Sequence, residues 1–479
     1  MAPVSIETPP MMSGRVVILG GGPGGYEAAL VARRLGADVT VVERQGLGGA
    51  AVLTDVVPSK TLIATADWMT TAEAASDLGV RPHAAAGVAR EAGAHAVDLD
   101  AVNTRVRALA TAQSADVRGR LEREGVRVVI GDGRLDGPTA VVASGADGDE
   151  ERLEADVVLL ALGATPRVLP TAVPDGERIL TWTQLYGLTE LPERLIVVGS
   201  GVTGAEFAGA YNALGSEVTL VSSRDRVLPG EDADAAELIE NVFRARGMTV
   251  CSRSRAEAAV RTADGVAVTL ADGRVLEGSH VLLAVGSIPS TRGIGLEEAG
   301  VELTAQGYVR VDKVSRTTAR GVYAAGDCTG VLPLASVAAM QGRVAMSHAL
   351  GDAVSPIRLR SVAANIFTAP EIATVGYSEA ALVESGAKYL TATLPLGRNP
   401  RAKMMGMQDG FVKLFARPDT GMVLGGVVVA QRASELIFPI TLAVSQRMTV
   451  DDVAASFTIY PSLSGSIAEA ARTLHHRIS

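Results

Sequence analysis

Two stretches of the chain repeat one order of apolar runs and longer helical segments. Arg15–Leu19 is a β-branched run with no polar residue after Arg15. That is the pattern of a strand buried on both faces of a parallel sheet. It runs into Gly20-Gly-Gly-Pro-Gly-Gly25, then a helical stretch from Tyr26 to Leu35 that Gly36 stops. A second strand, Asp38–Val42, ends at Glu43. The order returns at Leu195–Val198, Gly199-Ser-Gly-Val-Thr-Gly204, a helix to Leu214, Gly215, and the strand Val218–Val221 ending at Ser222. Val157–Leu160 predicts another buried strand. Strand–helix–strand units of this kind predict an α/β chain with parallel sheets.

Both turns satisfy Gly-x-Gly-x-x-Gly in the context that gives the motif meaning, between a strand and a helix. In the first, Gly20 permits the tight turn, Gly22 lets the backbone approach a pyrophosphate, and Gly25 lets helix and strand pack closely. The helix N-terminus supplies N–H donors and positive dipole to the phosphates. Gly199, Gly201 and Gly204 stand in the same places in the second copy. A glycine-rich turn without a ligand is the bland alternative for either. The copies differ 23 residues after the first glycine, where an acidic residue would hold a ribose. Glu43 fills this place in the first copy and would repel a 2′-phosphate. Ser222 fills it in the second, followed by Arg224 and Arg226. The second site therefore admits NADPH as well as NADH; the bland alternative leaves these arginines as a solvated surface.

At 479 residues the chain has room for two or three domains. A composition 47% hydrophobic and 20% charged fits a globular chain. The net charge of −9 disfavours nucleic acid as a partner, and no apolar run reaches the roughly 20 residues of a membrane span. Met1–Ser13 lacks the basic and apolar regions of a signal peptide and reads as a loose tail. The two cysteines, Cys251 and Cys328, give neither a disulfide framework nor a zinc spacing, so a reducing cytoplasm and no metal are expected.

Further segments make the chain resemble the flavoprotein disulfide reductases, in their dihydrolipoamide dehydrogenase-like branch. Ala161-Leu-Gly-Ala-Thr-Pro166 and Ala284-Val-Gly-Ser-Ile-Pro289 look like the two family crossovers, with Gly163 and Gly286 at their centres. Val322-Tyr-Ala-Ala-Gly-Asp327 looks like the second FAD motif, with Gly326 and Asp327. Leu334-Ala-Ser-Val-Ala-Ala-Met-Gln-Gly342, which contains Ala335, resembles the helix that begins under the flavin. Phe367-Thr-Ala-Pro-Glu-Ile-Ala-Thr-Val-Gly376 is similar to the opening of the dimerisation domain. The resemblance implies two Rossmann-like dinucleotide-binding domains, for FAD and NAD(P), and a C-terminal α+β dimerisation domain. The expected boundaries are 1–165 and 287–357 for FAD, 166–286 for NAD(P), and 358–479 for the interface of a homodimer.

The departures from the family are as telling as the matches. Gly48-Gly-Ala-Ala-Val-Leu-Thr-Asp-Val-Val-Pro-Ser-Lys60 resembles the redox-active segment, with Gly49 among its glycines, but Ala51 and Val56 occupy both cysteine positions. The family's C-terminal His-Pro-Thr-Leu-Ser-Glu supplies a catalytic base from the partner subunit. Here the segment is Tyr460-Pro-Ser-Leu-Ser-Gly465. Tyrosine, with an ordinary pKa of about 10, is a poor proton acceptor near neutrality but still donates a hydrogen bond. The resemblance also implies a pair between Lys60 and Glu206, with the lysine near flavin N5. The expected reaction is hydride transfer from NAD(P)H to FAD, then reduction of a small acceptor such as a quinone. A soluble pyridine nucleotide transhydrogenase and a non-catalytic FAD-binding interaction protein remain as alternatives.

Overall fold

A computed structural model describes residues 14–76, 78–80, 96–145 and 147–478. Met1–Ser13, expected to be a loose tail, lies outside them. The chain divides into two compact units that it enters more than once. The first takes residues up to Pro58, then Arg107–Thr165 and Ser287–Ile357. The second takes Ser59–Val106, Pro166–Gly286 and Arg358–Ser479.

The first unit is built on a seven-stranded sheet. Arg15–Leu19 lies between Asp38–Glu43 and Val157–Leu160, parallel to both, with Val17 opposite Thr40 and Val158. Val322–Ala324 extends the parallel part on one side and Arg127–Leu135 on the other. An antiparallel meander, Ala140–Gly145 and Glu150–Glu154, completes it. Val16, Val17, Ile18 and Leu19 are all buried, which is why this strand reads as one apolar run rather than an alternation. The helices Pro23–Arg34 and Ala335–Ala349 pack on each other at a glycine contact. A Cβ on Gly342 would lie 2.1 Å from the Gly24 carbonyl oxygen, so only hydrogen fits there.

The second unit holds a five-stranded parallel sheet with Arg194–Val198 at its centre. Glu217–Val221 and then Thr249–Cys251 lie on one side; His280–Leu283 and then Ile179–Thr181 lie on the other. A five-stranded antiparallel sheet follows, ordered Ala364–Ile366, Glu371–Gly376, Val423–Ala430, Phe411–Ala416, Leu390–Pro395, with helix Gly465–Ile478 packed on it. Ser59–Val106 was expected within the first domain. It joins the second unit because Leu62, Ile63, Ala66, Leu99 and Val106 bury themselves in one apolar cluster with Phe207 and Tyr211. That burial is worth about 25 cal/mol per Å² of apolar surface and outweighs sequence proximity.

Candidate functional site

The two glycine turns have nearly the same backbone. Gly20 and Gly199 take φ of +99° and +111°, in the left-handed region that glycine alone occupies freely. A Cβ on Gly20 would meet the Ala161 oxygen at 2.2 Å, and one on Gly199 the Ala284 oxygen at 2.2 Å. A Cβ on Gly25 or Gly204 would fall within 2 Å of the carbonyl oxygen of Gly20 or Gly199. Gly22 and Gly201 begin their helices, and no side chain caps either one. In the first copy Pro23 has no N–H and the Gly25 N–H turns back to the Gly22 oxygen (2.8 Å), so the Gly24 N–H is left for a ligand; in the second copy those of Val202 and Thr203 are left. Nothing lies within 4 Å of the space a Cβ would fill at Gly201, Gly163 or Gly286.

In the first unit Glu43 is buried, and its carboxylate accepts from the N–H groups of Gly21 (2.6 Å), Gln45 (2.7 Å) and Gly46 (3.3 Å). It fixes the glycine turn, and one acceptor site, on Oε2, remains open to a ligand hydroxyl. The segment that lacks cysteines is tied to the same turn: the Gly48 N–H donates to the Gly21 oxygen (2.8 Å). Gly49, at φ +56°, sits so close that a Cβ would lie 2.8 Å from the Gly22 Cα. Ala51 lies half-buried in the short helix Gly49–Leu53, and Val56, 37% exposed, opens the helix Val56–Glu73. Asp327 follows Gly326 (φ +83°) at the end of strand Val322–Ala324. Burial, and then repulsion by Asp55, pushes its carboxyl up to about 6. A buried carboxyl of this kind is suited to accept from hydroxyl donors. Ala335 is the first residue of the helix packed on Pro23–Arg34. Buried Gln341 of that helix accepts from the Gly326 N–H at 2.8 Å and donates to Thr329 Oγ1 at 3.2 Å, holding the Asp327 turn in place. The sequence signal for Gln341 was a lone polar side chain on an otherwise apolar face.

Cys328 is buried, and its single thiol proton goes to the Ala325 or the Leu160 oxygen, 3.4 and 3.6 Å away. Burial pushes that thiol up to about 11, so it is no nucleophile near neutrality. Cys251 ends the strand Thr249–Cys251 of the second unit and is likewise a free thiol.

The second unit brings Lys60 and Glu206 together across 146 residues of chain. Lys60 Nζ donates to Glu206 Oε2 at 2.7 Å and lies 5.0 Å over the Phe367 ring. Glu206 is 3% exposed, and its Oε1 accepts from the Phe367 N–H at 2.8 Å. The Phe367 N–H, a main-chain donor that no side-chain pattern marks, is the third member of this group. Ser222 requires a correction. It is 0% exposed, and its hydroxyl accepts from Ser200 Oγ (2.7 Å) and the Arg224 N–H (3.1 Å). Its single proton goes to the Arg224 or Arg226 carbonyl oxygen, 3.2 Å away. One donor and two lone pairs are then spent, leaving nothing for a ribose. Ser222 positions the turn, while exposed Arg224 faces solvent. Tyr460 is 83% exposed, between exposed Phe457 and Ile459 and the helix starting at Gly465.

Residues 14–342 match the model of the pyridine nucleotide-disulphide oxidoreductases, and residues 362–471 match the dimerisation domain of the same enzymes. An NAD(P)H dehydrogenase (quinone) from Mycobacterium tuberculosis is 55% identical over 96% of this chain and 94% of its own length. A dihydrolipoyl dehydrogenase from Chlorobaculum parvum is 34% identical over 95% of this chain and 96% of its own. The crystal structure of LpdA from M. tuberculosis superposes with a TM-score of 0.90 at 54% identity, covering 96% of this chain and 99% of that one. The flavoprotein disulfide reductase RclA from Escherichia coli shares the fold, with a TM-score of 0.84 at 24% identity, over 96% of this chain and 99% of that one.

Proposed function

The chain belongs to the pyridine nucleotide-disulphide oxidoreductase family, and from that premise we propose that it is an FAD-dependent NAD(P)H:quinone oxidoreductase that works as a homodimer without a redox-active disulfide. One observation carries the reading. The segment beside the first phosphate turn keeps its backbone ties while Ala51 and Val56 stand where the family holds its cysteines. Neither side chain forms a thiolate, so electrons cannot leave through a dithiol.

FAD, when bound, accepts the hydride of NAD(P)H and hands the electrons on. The turn Gly20–Gly25 would hold its pyrophosphate, Glu43 its adenosine ribose, and Asp327 the ribitol–pyrophosphate region. The second turn would hold the NAD(P)H pyrophosphate. Lys60, oriented by Glu206, is the cation the resemblance assigns to flavin N5, where it would stabilise negative charge. Small apolar side chains at 51 and 56 suit a flat quinone ring better than a charged disulfide. Tyr460, exposed in one chain, is available to a partner's site and would donate a hydrogen bond to a quinone oxygen. The curated name of the M. tuberculosis relative agrees with this acceptor.

The test is an acceptor screen at fixed NADPH. Menadione should be reduced, with lipoamide and glutathione disulfide left untouched. The two-electron-reduced protein should lack thiolate-to-flavin charge-transfer absorbance. Robust lipoamide reduction by the unmodified protein would overturn the proposal.

A further inference from the structure

At the carboxyl end of the second unit's parallel sheet, two loops are laced together. They follow the strands Glu217–Val221 and Thr249–Cys251. The Ser222 N–H donates to the Cys251 oxygen (2.9 Å), the Arg253 N–H to the Arg224 oxygen (2.7 Å), and the Ser254 N–H to the Ser222 oxygen (2.7 Å). Pairing thus continues beyond both strands, and Arg253 takes φ +52° within it. An arginine in the left-handed region is strained, and it persists only where its surroundings hold it; such strain gathers at ligand sites. Among the described residues five that are not glycine have positive φ, and two of them, Leu228 and Arg253, belong to these loops. The Leu228 N–H donates to the Ser200 oxygen (2.9 Å), as Ser200 Oγ does to Ser222 Oγ. The phosphate turn and both loops are therefore one hydrogen-bonded body.

Charge is distributed unevenly over that body. Arg226 pairs with Asp225. Arg274 pairs with Asp272 and donates to Ser254 Oγ at 2.7 Å. Arg224, Arg253 and Arg255 are exposed, and none has a carboxylate partner among the described residues. Guanidinium groups without counter-charge thus flank the ribose end of a dinucleotide site, and Arg253 is the one whose backbone is bonded to Arg224. The position where an acidic residue would repel a phosphate holds a neutral hydroxyl with no spare hydrogen bond.

We propose that Arg253, presented by its left-handed backbone and hydrogen-bonded to Arg224, is a specificity-determining residue that clamps the 2′-phosphate of NADPH together with Arg224. The proposal rests on reading this turn as the NAD(P) site. Arginine suits the task because its planar fork grips phosphate oxygens in pairs.

The test uses flavin-loaded protein, whose first nucleotide site is filled. Calorimetry compares 2′-phospho-ADP-ribose with ADP-ribose, so no turnover is needed. Arg253→Gly removes the guanidinium and suits the left-handed backbone, so the loop should keep its shape. Affinity for the phosphorylated ligand should fall about tenfold, with ADP-ribose changed less than twofold. Arg253→Lys should recover part of the loss, and Arg224→Ala should resemble Arg253→Gly. An unchanged ratio in Arg253→Gly beside a lowered ratio in Arg224→Ala would overturn the role of Arg253. Equal loss of both ligands would also overturn it, making Arg253 a structural residue of the loop. Wild-type protein that binds the two ligands equally would refute the clamp and leave the NAD(P) site standing. Wild-type protein that binds neither would refute the site itself.

Discussion

Glu206→Ala removes the acceptor of two donors at once, the Phe367 N–H at 2.8 Å and the Lys60 ammonium at 2.7 Å. The main-chain donor loses a charge-assisted bond, at a cost of about 2 kcal/mol. Lys60 is 27% exposed, so water replaces much of its lost partner and adds only about 0.5–1 kcal/mol. The total is about 3 kcal/mol, a fall in melting temperature on the order of 5 °C for a unit of this size. Glu206→Gln keeps an acceptor for Phe367 and gives up the charge, at about 1 kcal/mol. Lys60→Met strands a carboxylate that is 3% exposed, which costs more than stranding the partly exposed ammonium, about 2 kcal/mol. The expected order of damage is therefore Glu206→Ala, Lys60→Met, Glu206→Gln. The double variant Lys60→Met, Glu206→Gln should recover about 1 kcal/mol relative to the sum of its parts. Denaturant titration of the holoenzyme measures the cycle, and anaerobic stopped-flow reduction by NADPH reads the flavin. Additivity within about 0.5 kcal/mol would refute the coupling. Flavin reduction at the wild-type rate in Lys60→Met would refute a role for Lys60 at the flavin.

Asp67 is pushed up to about 6, first by burial and then by Glu371. Its charged form destabilises the fold, so stability falls as pH rises from about 4 to 6 and stays reduced above. Asp67→Asn should therefore stabilise the protein at pH 8 by about 1 kcal/mol, allowing for partial exposure, and change nothing near pH 4. Equal gains at both pH values in thermal melts would count against this. Lys413, 3% exposed, pairs with Asp232 (3.0 Å), Asp234 (2.8 Å) and Glu379 (2.5 Å), which hold its pKa well above the ordinary lysine value. Lys413→Met should cost about 3–5 kcal/mol, because three carboxylates lose their cation, and a melting temperature close to wild type would refute that. Ala51→Cys with Val56→Cys should yield a reducible pair by thiol titration wherever bridging geometry is met. Disulfide substrates should still turn over poorly, since Tyr460 and Gly465 supply no base, and brisk lipoamide turnover by this variant would contradict that assignment.

What the sequence made legible is what depends on local geometry. Gly20, Gly25, Gly199 and Gly204 each face a carbonyl oxygen a few residues away or on the adjoining strand, and no other residue fits. That requirement leaves its mark in spacing alone. Glu206 was half legible: one carboxylate in the apolar helix Val202–Leu214 has to find a cation, but the cation's identity came from resemblance. Ser222 misled because the offset from Gly199 gives its place in the chain, whereas its burial depends on how two loops pair. Lys413 was invisible for the same reason. Its partners come from a helix cap at Asp232, the first turn of that helix, and Glu379 of another element, brought together only in the folded unit. Ser59–Val106 moved to the second unit because helical periodicity shows that a face is apolar without showing what will cover it.

The losses along the chain are also not scattered. Missing are the two cysteines, the C-terminal histidine and its glutamate, all of which serve thiol exchange. Retained are the two glycine turns, Glu43, Asp327 with its supporting Gln341, and the Lys60–Glu206–Phe367 group, the residues to which the proposed function gives nucleotide binding and the charge near the flavin. Glu206, 3% exposed, and a lysine 146 residues away are kept together, and losing either partner destabilises the fold. Such a buried charge costs stability unless its partners are kept. The glycine at position 49 makes the same point, since its close approach to Gly22 matters only while the segment must lie against the phosphate turn. The scaffold of a disulfide thus persists without its sulfur. That is the expected outcome when nucleotide and flavin sites stay in use and only the exit for electrons has changed.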